Sequence, residues 1–220
     1  MEENCIAFKL NYCDGGANQN CIGFRGLCSD ENIFYNVINR NRPWCSHDDN
    51  YCKRYWCKKI SRDELESRWE KEDANFCDES ITLNEEHGWY AVAGWNSDEK
   101  TPRKFKDTDM INHLCVLTTK LPRSDSLIIF AMFIVRDAFK GDNKNPGKVC
   151  ADKYWRLKFR RDEAEKMKFR DVYTKPWSRG LFRYFSDKIA VKFLEMAVDV
   201  KRGTPEEDFA KEFLKNYPYK

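Results

Sequence analysis

"HLCVLTTKLPRSDSLIIFAMFIVRDAF", residues 113–139, holds two apolar runs, and the second decides the fold. Leu127–Val135 ("LIIFAMFIV") is apolar at every position, the pattern of a strand buried on both faces. It is the longest apolar run in the chain, and a membrane-spanning helix takes roughly 20 such residues. "HLCVLTTKL" (113–121) reads as its neighbouring strand. Outward from this pair, "SITLNE" (80–85), "GWYAVAGWN" (88–96) and "KYWRLKF" (153–159) read as further strands, the last alternating as an outer strand does. Near the N-terminus, "IAFKLNY" (6–12) and "CIGFRGLC" (21–28) read as strands parted by the Gly/Asn turn "DGGANQN".

Helices frame these strands. "SRDELESRWEKEDANF" (61–76) is a charged helix capped by Ser61, with Leu65 and Trp69 on one face. "FSDKIAVKFLEMAVDV" (185–200) is amphipathic and capped at Ser186. "TPEEDFAKEFLKNY" (204–217) offers Thr204 as N-cap, Pro205 at the first position and Glu207 to complete a capping box. The fold class predicted is α+β: a small curved barrel of mixed or antiparallel strands with flanking helices and a cysteine-rich, metal-binding N-terminal segment. The expected organisation is one barrel domain over 1–160 that includes the cysteine-rich loop 28–57. A basic helical extension over 161–220 packs on the same domain.

Net charge is only +3, but it is unevenly spread. Residues 61–86 carry ten acids against three bases, and residues 153–192 carry thirteen Lys/Arg against five acids. The basic half predicts a face that meets phosphates, with Arg156, Arg160, Arg161 and Lys168 as the contacts. The alternative is two solvated faces of opposite bias. No GxGxxG, Walker A, HExxH or GxSxG pattern occurs, and three histidines (His47, His87, His113) are few for acid–base chemistry. His113 reads as a satisfied strand residue. The acidic start "MEENCIAFKL" is unlike a signal peptide, which predicts a cytoplasmic protein with reduced thiols.

Of ten cysteines, seven precede residue 58. Cys45, Cys52 and Cys57 are the tightest group, Cys28 is a natural fourth, and His47 is a substitute ligand. Four thiolates enclose Zn²⁺ and can order a loop-rich segment. An iron–sulfur cluster also takes four thiolates, and cysteines can equally serve as small buried hydrophobes. Cys77, Cys115 and Cys150 read as isolated core residues.

Between Cys28 and Cys45 lies "SDENIFYNVINRNRPW". Ser29 caps a helix over about 29–40, Pro43 stops it, and Trp44 follows in a polar loop. Trp56 ("KRYWCKK") and Trp95 ("AGWNSDEK") sit in similar surroundings, and Trp89 opens the strand that Trp95 closes. Aromatic walls beside a basic surface suit stacking on an extruded nucleobase.

The stretch "SDENIFYNVINRNRPWCS" (29–46) resembles the first cage segment of YTH domains, which belong with EVE and ASCH domains in the PUA-like group. The likeness covers residues 20–46 by motif and 80–160 by pattern. It implies a small curved β-barrel that binds RNA or flipped, modified DNA bases. It makes Trp44 one cage wall, Cys45 a backbone contact to the base edge and Asn32 a base-contacting amide, with Trp95 or Trp89 as the second wall. It departs from the family in two extra residues before the tryptophan, in its cysteine cluster and in its C-terminal helices.

The expected function is therefore a non-catalytic reader of a modified base, on DNA rather than RNA. It would serve as the specificity module of a restriction-like system with an effector nuclease or NTPase partner. Two other classes stand beside it. One is a metal-dependent nuclease or nucleic-acid-modifying enzyme drawing on Asp30, Glu31, Asp48 and Asp49. The other is a zinc-stabilised protein-interaction module.

Overall fold

The computed structural model describes residues 2–16, 22–71, 76–86, 88–96, 101–106, 109–177 and 180–219, and of Pro43 only the backbone. Cys21, His87, most of the turn at 14–20 and the end of the charged helix at 72–75 therefore lie outside the described residues. Backbone contacts divide the chain into two compact units, Cys13–His87 on one side and Met1–Tyr12 with Gly88–Lys220 on the other. The boundary expected at 160 falls inside the second of these.

The Cys13–His87 unit has four short helices and no strand among its described residues: α1 (Asp30–Phe34), α2 (Pro43–Ser46), α3 (Tyr51–Trp56) and α4 (Arg62–Glu70). α1 starts where the sequence predicts, with the Asn32 amide donating to the Ser29 hydroxyl at 3.2 Å, and continues as a wider π-turn over Tyr35–Asn39. α4 is capped in the same way by Ser61, whose hydroxyl accepts from the Glu64 amide at 3.1 Å.

Three readings change here. Residues 22–28 are not a strand, because Gly23 (φ 107°) and Phe24 (φ 67°) break the extended backbone. A Cβ at Gly23 would stand 2.0 Å from the Cys13 carbonyl oxygen, so the turn requires glycine. "SITLNE" is a 3₁₀ turn over Asp78–Ser80 followed by further turns. The Ser80 hydroxyl donates to the Cys77 carbonyl (2.6 Å) and Thr82 to the Asp78 carbonyl (3.0 Å), local bonds that compete with a sheet ladder. Pro43 does not stop a helix before a loop. It opens α2, where its missing N–H costs nothing, so Trp44 and Cys45 are helical.

The other unit is built on a curled six-stranded sheet. Its strands are β1 (Cys5–Leu10), β2 (Tyr90–Val92), β3 (Leu114–Lys120), β4 (Leu127–Phe139), β5 (Lys148–Lys158) and β6 (Phe182–Phe185), ordered β2-β5-β4-β3-β1-β6. Only β1 and β3 run parallel, so the sheet is mixed, and it ends on β2 and β6 rather than closing into a barrel. Residues 127–135 of β4 are all buried, as their unbroken apolar run requires of a central strand. Register shifts at Leu117/Thr118 in β3 and around Val135 in β4 are bulges that let the sheet bend.

Helices α5 (Arg161–Ala164), α6 (Phe169–Val172), α7 (Asp187–Lys201) and α8 (Glu207–Asn216) belong to the same unit. Phe193 of α7 stacks on Phe169 of α6 (5.1 Å between rings) and meets Phe185 of β6 edge-on (5.5 Å). α8 starts later than the capping pattern at Thr204 predicts. Glu207 accepts from the Gly203 amide (2.6 Å) instead, so the capping box expected at Thr204 does not form. Among the described residues no helix is long and apolar enough to cross a membrane.

Candidate functional site

In the Cys13–His87 unit, α2 holds Trp44 exposed (45% of its surface) while the next residue, Cys45, is buried. The Trp44 ring lies nearly parallel to the His47 imidazole, 13° between planes and 6.4 Å between centres. Trp56, on α3, packs its ring 5.0 Å from Phe34 at the end of α1, and both keep exposed surface. Asn32 does not face solvent. It is buried, and its side-chain amide donates to the Cys28 sulfur at 3.2 Å.

The other unit holds the remaining cage candidates. Trp95 is 39% exposed and bridges to Pro102, whereas Trp89 is 3% exposed, with Arg156 5.3 Å above its ring. Trp89 is thus a core residue rather than a surface wall. Of the basic candidates, Arg160 pairs with Asp162 (3.1 Å) and Arg161 with Glu165 (3.5 Å), and Lys168 is exposed just ahead of α6.

The thiols gather differently from the expected set. Cys57 is exposed at the end of α3, while Cys28 and Cys45 are buried and Cys52 is half-buried. Two cysteines that sequence spacing leaves aside join them: Cys13, whose sulfur is 3.7 Å from Cys28, and Cys77, which hydrogen-bonds Cys45. The hydrogen bond from Cys13, reinforced by the Asn32 amide, pulls the Cys28 thiol below its ordinary range against the effect of burial. Burial, with Cys28 and Cys45 nearby, pushes Cys52 up. Cys77 is not the isolated core residue expected. The carboxylates proposed for catalysis do not converge: Asp30 is held by Arg62 (2.9 Å) and the Tyr55 hydroxyl (2.9 Å).

A second constellation lies wholly in the sheet unit. His113 Nδ1 is 2.9 Å and Cys5 Sγ 3.2 Å from Asp187 Oδ1, and the Tyr217 hydroxyl bonds the same oxygen and approaches Cys5 Sγ at 3.3 Å. β1 supplies Cys5, the turn into β3 supplies His113, the first position of α7 supplies Asp187, and Tyr217 follows α8. One ligand atom from each of Cys5, His113 and Asp187 lies within 4.8 Å of the others, so this triad could hold a metal ion. Burial pushes the Cys5 thiol up, so a metal there would have to displace its proton. For Asp187, burial acts upward, but hydrogen bonds from Tyr217, His113 and Cys5 outweigh it and hold the carboxyl below its ordinary value. The His113 ring stacks on Tyr219 (4.0 Å), and Asn112, Trp155, Phe213, Asn216, Tyr217 and Tyr219 line a cavity of about 280 Å³ beside it. Four chain segments with up to 212 residues between partners build this network, and no local motif announces it. The one legible sign is the lone His113 in an apolar strand context.

Comparison with protein-family models, with curated proteins and with solved structures gives no match to this chain.

Proposed function

We propose that the chain is a nucleic-acid-binding module of PUA-like character that stacks an extruded base, modified by preference, on Trp44. The observation that carries this reading is the exposed indole of Trp44 on a helix fixed by Pro43 at its start and by buried Cys45 behind it. An exposed indole offers a face on which a base can stack. DNA is the favoured polymer, a metal held by the thiols steadies the platform, and a partner nuclease or NTPase supplies any effector activity. Lys168 with Arg156, Arg160 and Arg161 serves the phosphates in this reading.

A titration of short single- and double-stranded oligonucleotides across salt concentrations tests it. Phosphate contacts make log K fall linearly with log salt. Reversing Arg160 and Arg161 to Glu should weaken every sequence alike and flatten that slope, and binding insensitive to salt would refute the reading. A second reading, a metal-dependent enzyme, draws on Cys5, His113 and Asp187 beside their cavity. Turnover of an oligonucleotide that vanishes in His113→Ala would favour it.

A further inference from the structure

Two strand registers bring three metal-ligating side chains to one end of the curled sheet. Cys5 opens β1 and pairs with Phe185 of β6, two residues ahead of Asp187. The next residue, Ile6, pairs with Cys115 of β3, two residues beyond His113. The strands on either side of β1 thus deliver both partners to Cys5, and Asp187 is fixed again as the first residue of α7, a 15-residue helix. Side chains placed by paired strands and a long helix are held rigidly.

We infer that Cys5 Sγ, His113 Nδ1 and Asp187 Oδ1 bind a zinc ion, with a fourth position left for water. The inference rests on the same residues as the enzyme reading above and supplies its metal, but it needs no turnover and is independent of base binding at Trp44. The three ligand atoms all lie within 4.8 Å of one another, with His113 Nδ1 2.9 Å and Cys5 Sγ 3.2 Å from the Asp187 oxygen. Tetrahedral zinc, with bonds of about 2.0–2.2 Å to N and O and about 2.3 Å to S, sets such atoms roughly 3.3–3.6 Å apart. Opening each of those two contacts by about half an ångström admits the ion. A thiolate, an imidazole and a carboxylate together select zinc over magnesium or calcium, which take oxygen ligands. Three protein ligands with water in the fourth position is the pattern of catalytic rather than structural zinc.

The charges balance. The dication meets one carboxylate and one thiolate, so the buried centre is neutral overall. Cys5 releases its thiol proton to solvent, and His113 carries its proton on Nε2 while Nδ1 takes the metal. The Tyr217 hydroxyl bonds the Asp187 oxygen and stands 3.3 Å from Cys5 Sγ, an outer partner that orients both anionic ligands. Tyr217 also lines the neighbouring cavity, together with Tyr219, whose ring stacks on His113. Cys5 and His113 are buried, but Asp187 keeps 20% of its side-chain surface open, which gives the ion a way in.

Zinc titrated into the reduced, chelator-stripped full-length chain tests this by NMR. His113 is one of three histidines, so its ring nitrogens can be followed singly. Zn²⁺ should move Nδ1 to the resonance of a metal-bound nitrogen and leave Nε2 protonated. With ¹¹³Cd²⁺ in its place, one cadmium should couple both to the His113 ring and to the Cys5 β-protons, which separates this ion from any held by the other thiols. Cys5→Ser should weaken zinc binding at His113 by more than the roughly 10–100-fold that losing an outer partner costs. A His113 ring unmoved by excess zinc overturns the inference, as does cadmium coupled to His113 but not to Cys5, or unchanged affinity in Cys5→Ser. If Cys5→Ser fails to fold, the two wild-type spectra still decide. Zinc bound at His113 and Cys5 without turnover of an oligonucleotide upholds the inference and sinks only the enzyme reading.

Discussion

His113 Nδ1 lies 2.9 Å from Asp187 Oδ1, which joins the turn into β3 to the first residue of α7. Tyr217 and Cys5 donate to that same oxygen, so one carboxylate ties together strands and helices from both ends of the chain. Because the folded carboxyl sits below its ordinary value, its contribution to stability is complete above the unfolded carboxyl's value of about 4 and is lost as pH falls through the folded one. Asp187→Asn should therefore lower stability at neutral pH by roughly 1.5–3 kcal/mol, the worth of a hydrogen bond to a charged group. The deficit should shrink below about pH 4, where the wild type loses the same interaction. Paired thermal melts from pH 7 to pH 3 measure this, and a deficit that stays constant with pH would contradict it.

Lys201 and Glu163 form a second tie, 2.7 Å apart and both buried, between the end of α7 and α5. Glu163 Oε2 also accepts from the Arg160 amide at 2.7 Å, so it closes the start of α5 as well. Glu163→Gln leaves the buried Lys201 ammonium with only Glu206, 3.9 Å away, as counter-charge and should destabilise by up to about 3–5 kcal/mol. Adding Lys201→Met removes the orphaned charge and should recover most of that loss. Denaturant titrations of the two single variants and the double variant give the coupling. Additive effects would show that the pair does not interact.

How far such ties can be read from sequence depends on their range. The apolar run 127–135 announces the central strand, and Ser29 and Ser61 announce helix starts, because each signal is local. Pro43 is ambiguous in sequence, since proline ends one helix and begins another with equal ease; the structure uses it to begin α2. "SITLNE" alternates like a strand, but its Ser and Thr hydroxyls satisfy the backbone locally. At the thiols, spacing favours Cys57 over Cys77, and only the three-dimensional fold brings Cys77 to Cys45. Asp187 sits where an ordinary helix-start acid would, and nothing nearby tells of partners 74 and 182 residues away.

Trp89 gives a prediction opposite to that for an exposed wall. It is buried, and its indole N–H has no partner among the described residues. Trp89→Phe removes that unsatisfied donor and keeps most of the packing, so it should be tolerated. Trp89→Ala should cost about 3–5 kcal/mol, as other large core aromatics do. Oligonucleotide affinity of the folded fraction should not change in either variant. Chemical denaturation beside a binding titration measures both quantities, and a binding loss in a stable Trp89→Phe protein would return this residue to the cage.

Trp44 should behave in the reverse way. Its indole is exposed, so Trp44→Ala should leave the melting temperature nearly unchanged. Affinity for an oligonucleotide with an accessible base should fall by roughly 1–3 kcal/mol, the worth of one base–aromatic stack. The preference for a methylated base over its plain form should shrink as well, since the wall contacts the added group. Trp44→Phe keeps a smaller π-face and should restore part of both effects. The salt dependence should stay the same in all three proteins, because the phosphate contacts proposed above use other residues. Melts run beside titrations of methylated and plain oligonucleotides separate the outcomes. A large fall in melting temperature with selectivity intact would make Trp44 a packing residue. Unchanged affinity in a stable Trp44→Ala protein would remove it from base binding altogether.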